Sequence, residues 1–481
     1  MVATAPPGSR VPTASDSKPP RARKQFTEAS RFRRSLVLLG LSVIAPGSVQ
    51  LKAGNRRLGR AVLAAWIALI VISALVLWLV PMHEIAGLAV RPWMLRALTL
   101  VFFAVAIGWI AVLIDAWRLC YPPALRRAHR LMLSGATLAL SVLVATPPLL
   151  AVRYVSAAHD AVVALFPTGE SAAASDGRLN ILLLGADAGK GRVGVRPDSI
   201  TVASIDVHTG APLLVSVPRN LQYARFPEGS AAAARFPDGF TGEGDPNEWI
   251  LNATWTYGEA NPELFSGSGE PGMTAVKQAV EGSLGLPIQY VVVIDLNGFR
   301  DLVDALGGVT IRITEPIPIG EKGRILEPGL RKLDGYETLW YARSRATSSD
   351  YARMGRQRCV LGAILREADP GTVLRNFTEL AQASTSIITT NIPQSELPKL
   401  VDLAWRVKDR SITSLQLVPP AIWPEDPDFE VIADKVDEAM NMSVEAAAAP
   451  ETPAPVTESA ATAGGAKAER AVDLSSVCAY E

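Results

Sequence analysis

Three long apolar runs mark the first third of the chain. Residues 61–80 carry no charge, 97–117 are interrupted only by Asp115 near the end, and 131–152 contain Pro147 and Pro148 near the end. Each has about the 20 residues that a helix needs to cross a bilayer. One such run alone reads equally well as a buried core helix. Three within 92 positions, joined by basic loops, predict an all-α membrane region of three transmembrane helices. A shorter apolar run, 36–51, is broken by Pro46-Gly47 and predicts an interfacial or re-entrant segment. The residues before position 61 are crowded with Arg and Lys, from Arg10 to Arg60, against only Asp16 and Glu28. The loop after the second run holds Arg118, Arg126, Arg127 and Arg130; the loop after the first holds Arg91, Arg96 and Glu84. The positive-inside rule then puts the N-terminus in the cytoplasm, and three spans put everything after Arg153 outside it.

Beyond position 177 the pattern changes to short apolar runs alternating with helical periodicity. Residues 180–185, 199–206, 213–217, 289–295, 309–313 and 414–418 read as strands, several of them continuous in Val, Ile and Leu as in a sheet covered on both faces. Helical spacing is found at 273–284, 298–306, 337–342, 351–368, 374–388 and 394–408. The order is not a strict strand–helix alternation, so the expected fold is α/β, a mixed central sheet flanked by helices. Residues 220–270 are rich in Gly, Pro, Asn and Glu, and a connection that long is expected to be functional or partly disordered.

Composition adds exclusions. Lys plus Arg equals Asp plus Glu at 47 each, which argues against a general nucleic-acid binder. Three Cys are too few for a disulfide scaffold, and four scattered His suggest neither a His metal site nor a His triad. GxSxG, HExxH, CxxC and Walker A motifs are absent from the sequence of the α/β region. What recurs there is Arg beside carboxylate: Arg196-Pro197-Asp198, Pro218-Arg219-Asn220, Arg343-Ser344-Arg345, and the series Asp350, Arg353, Arg356, Gln357. Asp350, Arg353 and Arg356 or Gln357, three or four apart, share a helix face that Val360 and Ile364 continue, so this face turns at least partly inward. Inward guanidinium groups need anionic partners. Two readings stand: an Arg–Asp network that holds the fold, or a phosphate site. In the second, Arg forks grip phosphate oxygens while Asp187 and Asp198 hold a Mg²⁺ that bridges them.

The run 180–187, Arg196–Asp198, 216–219, Gly307-Gly308-Val309, Leu333-Asp334-Gly335, 341–345 and 349–357 together resemble the LytR-CpsA-Psr (LCP) family of bacteria over roughly residues 178–425. The multi-span N-terminal region with its Pro-Gly element, and the Ala/Pro-rich tail, are similar to actinobacterial members. The resemblance implies a membrane-bound extracytoplasmic phosphotransferase that moves a glycopolymer, such as teichoic acid, from a polyprenyl-pyrophosphate carrier to peptidoglycan, forming a phosphodiester. It implies Mg²⁺ as cofactor, an apolar pocket for the polyprenyl chain, Arg219, Arg343 and Arg345 as pyrophosphate-binding and catalytic residues, and Asp187 and Asp198 as metal-associated. Arg196, Arg353, Arg356 and Gln357 match further motif positions taken as pyrophosphate-binding, and Asp198 or Asp350 is the general base. Where the family commonly has Pro-Arg-Asp, this chain has Asn220, which cannot ionise but can still orient Arg219 by hydrogen bonding. Two alternatives stay open: a non-catalytic membrane regulator of envelope biogenesis, and a pyrophosphatase acting on the same carrier.

The expected layout is a disordered basic cytoplasmic tail over 1–35, the interfacial or re-entrant segment over 36–60, three transmembrane helices over 61–152, a linker over 153–177, the catalytic domain over 178–430, a low-complexity linker over 431–469, and a tail over 470–481. Cys359 and Cys478 both fall on the side expected to be oxidising, so they are expected to pair and pin that tail, with two separate thiols as the other possibility.

Overall fold

The architecture is taken from a computed structural model of the chain. It describes residues 28–120, 123, 125–186, 196–265, 270–320, 323–345, 350–368, 388–408, 410–448 and 470–478. The chain divides into two compact units, one made of 1–72 with 105–148 and the other of 73–104 with 149–481.

Among the described residues, three helices are long and apolar enough to cross a membrane: α3 (Arg56–Leu79), α5 (Pro92–Leu119) and α6 (Arg127–Leu165). They follow α1 (Glu28–Ile44) and α2 (Ser48–Ala53). Pro147 and Pro148 do not end α6, which runs on to Leu165. Within the first unit the Pro46-Gly47 break has a steric reason. Gly47 has φ +90, and a Cβ there would lie 2.6 Å from the Gly59 carbonyl oxygen, so only glycine lets this turn approach α3. Gln50, 1% exposed, follows on α2 and donates from Nε2 to Val112 O and Asp115 Oδ2, both at 3.1 Å.

In the second unit, α4 (Met82–Ala89) lies in the connection between α3 and α5. The domain after α6 is built on a seven-stranded mixed sheet of order β11-β10-β3-β2-β1-β4-β9. Its strands are β1 (Arg178–Ala186), β2 (Pro197–Asp206), β3 (Pro212–Val217), β4 (Tyr290–Asp295), β9 (Ile388–Thr390), β10 (Thr413–Gln416) and β11 (Val472–Asp473). β1 is parallel to β4 and antiparallel to β2, and β10 is parallel to β3. Two antiparallel pairs stand apart from it: β5 (Val309–Ile313) with β8 (Gly329–Leu333), and the hairpin of β6 (Ile317–Ile319) with β7 (Arg324–Leu326).

Strand alternation divides the interior. Leu213, Val215 and Val217 of β3 face one apolar cluster, and Leu214 faces another with Val360 and Tyr341. The first cluster is covered by α9 (Pro271–Leu284) and by residues 220–265. That stretch holds short helices, including α7 (Ala231–Arg235) and α8 (Thr254–Ala260), around packed rings of Phe226, Phe236, Phe240, Tyr257 and Phe265. Residues 220–265 are therefore part of the core, and 266–269 of the expected 220–270 connection lie outside the described residues. The second face carries α10 (Leu296–Ala305), α11 (Gly335–Arg343) and α12 (Asp350–Glu367). A third cluster joins Leu95, Val162, Leu179, Leu397 and Leu403. There α4 packs on α13 (Leu397–Val407), with Gly87 close against Pro398 and His83 Nε2 4.0 Å from Asp402.

One expectation is corrected, three strands are added, and one expected helix falls almost wholly outside the described residues. Residues 431–448, assigned to a linker, belong to α14 (Phe429–Ala448), whose Phe429, Ile432, Val436 and Ala439 are buried in the first cluster. Burial of such large side chains contributes about 1.5–3 kcal/mol each, enough to hold an Ala-rich segment helical. β6, β7 and β8 were not expected; strands of three to five residues give too short a pattern. The helix expected over 374–388 lies outside the described residues except Ile388, which is strand. A disulfide joins Cys359 on α12 to Cys478 with Cα atoms 5.4 Å apart, and Leu474 beside it is 1% exposed.

Candidate functional site

A cavity of about 660 Å³ opens between the sheet and α10, α11 and α12. Its wall is mostly apolar, with Leu183, Ile294, Phe299, Trp340, Leu361 and Ile364 among the contributors. One edge is charged and carries Asp198, Arg219, Arg343, Arg345, Arg353 and Gln357. The arrangement is that of an amphipathic ligand site: a long apolar body inside, an anionic head at the rim.

Each charged group is delivered by a specific element. Asp198 stands near the start of β2, where the ladder with β1 shifts register at Gly185/Ala186. Arg219 follows β3, past Pro218. α11 starts on a capping box formed by Asp334 and Glu337 and ends at Arg343. Carbonyls at its C-terminal end are met by Arg356, which is buried and donates from Nε to Tyr341 O at 3.0 Å and from Nη2 to O of the capping residue Ser344. Ser344 Oγ donates to Pro318 O at 2.9 Å. With residue 344 held from two sides, Arg343 and Arg345 flank it on the cavity edge.

Asp350, the first residue of α12, organises the arginines. Arg353, 2% exposed, donates to it bidentately, Nε to Oδ1 at 3.1 Å and Nη2 to Oδ2 at 3.0 Å, and sends Nη1 to Asp198 O at 3.0 Å. Arg345 Nε lies 3.5 Å and Arg219 Nε 3.9 Å from the same carboxylate. Arg219 Nη1 donates to Asp198 Oδ1. Burial raises the Asp350 carboxyl, but the Arg353 bond and the charges of Arg353, Arg219 and Arg345 outweigh it and hold the group below the usual carboxylate range. Burial, then the like charges of Arg219 and Arg353, push the Arg345 guanidinium down, against Asp350 and Asp198. A guanidinium does not lose its proton in this way.

Of the residues singled out in the sequence, the fold therefore unites Asp198, Arg219, Arg343, Arg345, Arg353 and Gln357 on one edge, with Asp350 behind them. Arg356 is corrected: it holds backbone carbonyls and is not on the cavity wall, because its side chain leaves α12 toward the end of α11. Arg196 is exposed and is likewise not on the wall. Asp187 lies outside the described residues. The apolar wall was not predicted residue by residue, since Phe299, Leu302 and Trp340 read as ordinary core positions. Asp295 was read only as a strand end. It lines the cavity, and its carboxylate caps α10 by accepting from Gly298 N at 2.7 Å.

For a Mg²⁺ ion, Asp198 is the described carboxylate on the charged edge. Its Oδ1 is taken by Arg219, and among the described residues Oδ2 accepts no hydrogen bond. No group of three or more His, Cys, Asp or Glu suited to a metal occurs among the described residues. One carboxylate completed by substrate phosphate oxygens is a donor set that fits Mg²⁺.

Known proteins resemble this chain over its α/β region. A probable cell wall biosynthesis protein LcpB of Corynebacterium glutamicum is 30% identical over 224 residues, 46% of this chain and 45% of the relative. A polyisoprenyl-teichoic acid–peptidoglycan teichoic acid transferase TagU of Oceanobacillus iheyensis is 28% identical over 225 residues, 46% of this chain and 62% of the relative. The matches thus span about half to three fifths of the length of these curated relatives. The crystal structure of TagV from B. subtilis matches at a TM-score of 0.41 and 20% identity, covering 58% of this chain and all of that one. The LytR_cpsA_psr family model matches residues 155–442, more than half of the chain and all of the charged edge described above: the chain belongs to the LytR_cpsA_psr family.

Proposed function

We propose that this protein is a membrane-anchored transferase that moves a glycopolymer from a polyprenyl-pyrophosphate carrier to peptidoglycan. The observation that carries the reading is the union of an apolar cavity with an edge of guanidinium groups, matching a lipid with a diphosphate head. The names of the curated relatives support the same chemistry. Arg219, Arg343 and Arg345 bind the diphosphate and offset the charge that grows on the leaving phosphate, the main task in phosphoryl transfer. The acceptor hydroxyl attacks the sugar-proximal phosphorus, its bond to the bridging oxygen breaks, and polyprenyl phosphate departs. Asp350 is a poor proton acceptor because Arg353 occupies both of its oxygens; it positions the arginines, and Asp198 Oδ2, which Arg219 leaves free, serves either as the base or as a Mg²⁺ ligand. Mg²⁺, held by Asp198 and in the family reading Asp187, would add positive charge at the phosphate oxygens.

Two observations support an extracytoplasmic domain. The Cys359–Cys478 disulfide suits an oxidising compartment. The packing of α4 on α13 suits three spans, which put the connection between the first two spans on the same side as the domain after the third.

Single replacement of Arg219, Arg343 and Arg345 by Ala tests the site. Each variant should lose polyprenyl-pyrophosphate binding and Mg²⁺-dependent transfer. Three variants that fold, bind and transfer normally would overturn the assignment. Product analysis with and without peptidoglycan separates transfer from release of the carrier by water.

A further inference from the structure

Among the described residues of 196–478, seven large apolar side chains are exposed, and three of them, Ile325, Tyr336 and Leu365, belong to elements that line the cavity or pair with a strand that does. Ile325, 50% exposed, sits opposite Pro318 in the β6–β7 ladder, so the two share a face, and Pro318 lines the cavity. Tyr336 reaches the turn of the same hairpin: a Cβ on Gly320 would lie 2.4 Å from its hydroxyl. Its ring is 6.2 Å from that of Trp340, which is on the cavity wall, and 5.6 Å from the Arg300 guanidinium. Leu365 continues the α12 series Leu361, Ile364 that lines the interior, and two residues on, Glu367 accepts from Thr310 of β5.

From this continuity we infer that the β6–β7 hairpin, Tyr336 and the end of α12 form a membrane-contacting portal, through which the isoprenoid passes from the bilayer into the cavity without crossing water. The inference rests on the lipid reading of the cavity given above. A rim of aliphatic side chains with a tyrosine, a tryptophan and nearby cations is the composition that seats at a headgroup boundary. An exposed apolar patch joined to an apolar cavity is otherwise a solubility liability. The occupant is the bilayer itself, which α3, α5 and α6 of this chain are long and apolar enough to cross.

The test uses the full chain, with Cys120 replaced by Ser and the disulfide intact, in phosphatidylglycerol-containing vesicles. An environment-sensitive fluorophore is attached at Ile325→Cys, Leu365→Cys or, as control, Val431→Cys on the outer side of α14. Acyl-brominated lipid should quench the first two and not the third. Absence of quenching at 325 and 365, or equal quenching at 431, overturns the portal. This arm needs no turnover, so its failure is distinct from failure of the transferase reading. In a second arm, Ile325→Ser should raise KM for a vesicle-embedded carrier about fivefold, on the basis of half an isoleucine's transfer free energy. KM for a short-chain, water-soluble carrier should be unchanged. Equal effects on both carriers would assign Ile325 to the ligand site or to stability and refute membrane contact.

Discussion

Replacement of Arg353 by Met removes the guanidinium that holds Asp350 while keeping an unbranched stem in the same buried space. Three hydrogen bonds are lost, two to the Asp350 oxygens and one to Asp198 O. Removing one partner of a fully buried pair costs about 3–5 kcal/mol. Asp350 remains 32% exposed and keeps Arg345 and Arg219 nearby, so solvent and these neighbours reduce the loss to roughly 2–3 kcal/mol. For a domain of this size that lowers the melting temperature by about 4–12 °C. The assay is thermal unfolding of the detergent-solubilised chain followed by intrinsic fluorescence across pH. The Asp350 carboxyl is held below its ordinary value in the folded state, so its stabilising contribution is complete above about pH 4 and is lost as pH falls through the folded value. The gap between wild type and variant should therefore be full at neutral pH and shrink in acid. Unfolding of Arg353→Met at the wild-type temperature, or a gap that persists unchanged in acid, would refute the claim that Arg353 organises this carboxylate.

Three further outcomes follow from the same geometry. Arg356→Ala leaves the Tyr341 and Ser344 carbonyls without their donor and should lower both stability, by about 2–3 kcal/mol, and transfer, whereas Arg196→Ala should leave both near wild type; melting and initial-rate measurements check the pair. Phe299→Ser makes the cavity wall polar and should weaken binding of long polyprenyl pyrophosphates much more than that of inorganic pyrophosphate, read by titration calorimetry. Cys478→Ser opens a link between positions 119 residues apart and should cost about 2–5 kcal/mol, with reduction by dithiothreitol reproducing the shift in wild type but not in the variant.

The membrane helices were legible because lipid solvent imposes a one-dimensional rule: about 20 apolar residues in a row, whatever lies nearby in space. The strand at 180–185 was legible as a run of Ile and Leu ending in Gly, and the strand at 309–313 as the alternation of Val309, Ile311 and Ile313 with Thr310 and Arg312. The start of α14 was also written in the chain, as Phe429, Ile432, Val436 and Ala439 at helical spacing, but the Ala-rich continuation obscured it. Motif order identified the arginines as a set. It could not distinguish Arg353, Arg356 and Gln357, which lie within five positions on one helix, because their roles depend on what each side chain meets across space. Arg353 meets Asp350, Arg356 meets the end of α11, and Gln357 meets the cavity. Likewise Phe299 and Trp340 have the composition of core residues, and only the packing of α10, α11 and α12 against the sheet leaves a void beside them. Sequence fixes which groups must leave water; the tertiary fold decides whether each then meets a partner, a backbone or an open cavity, because that choice belongs to contacts between segments distant along the chain.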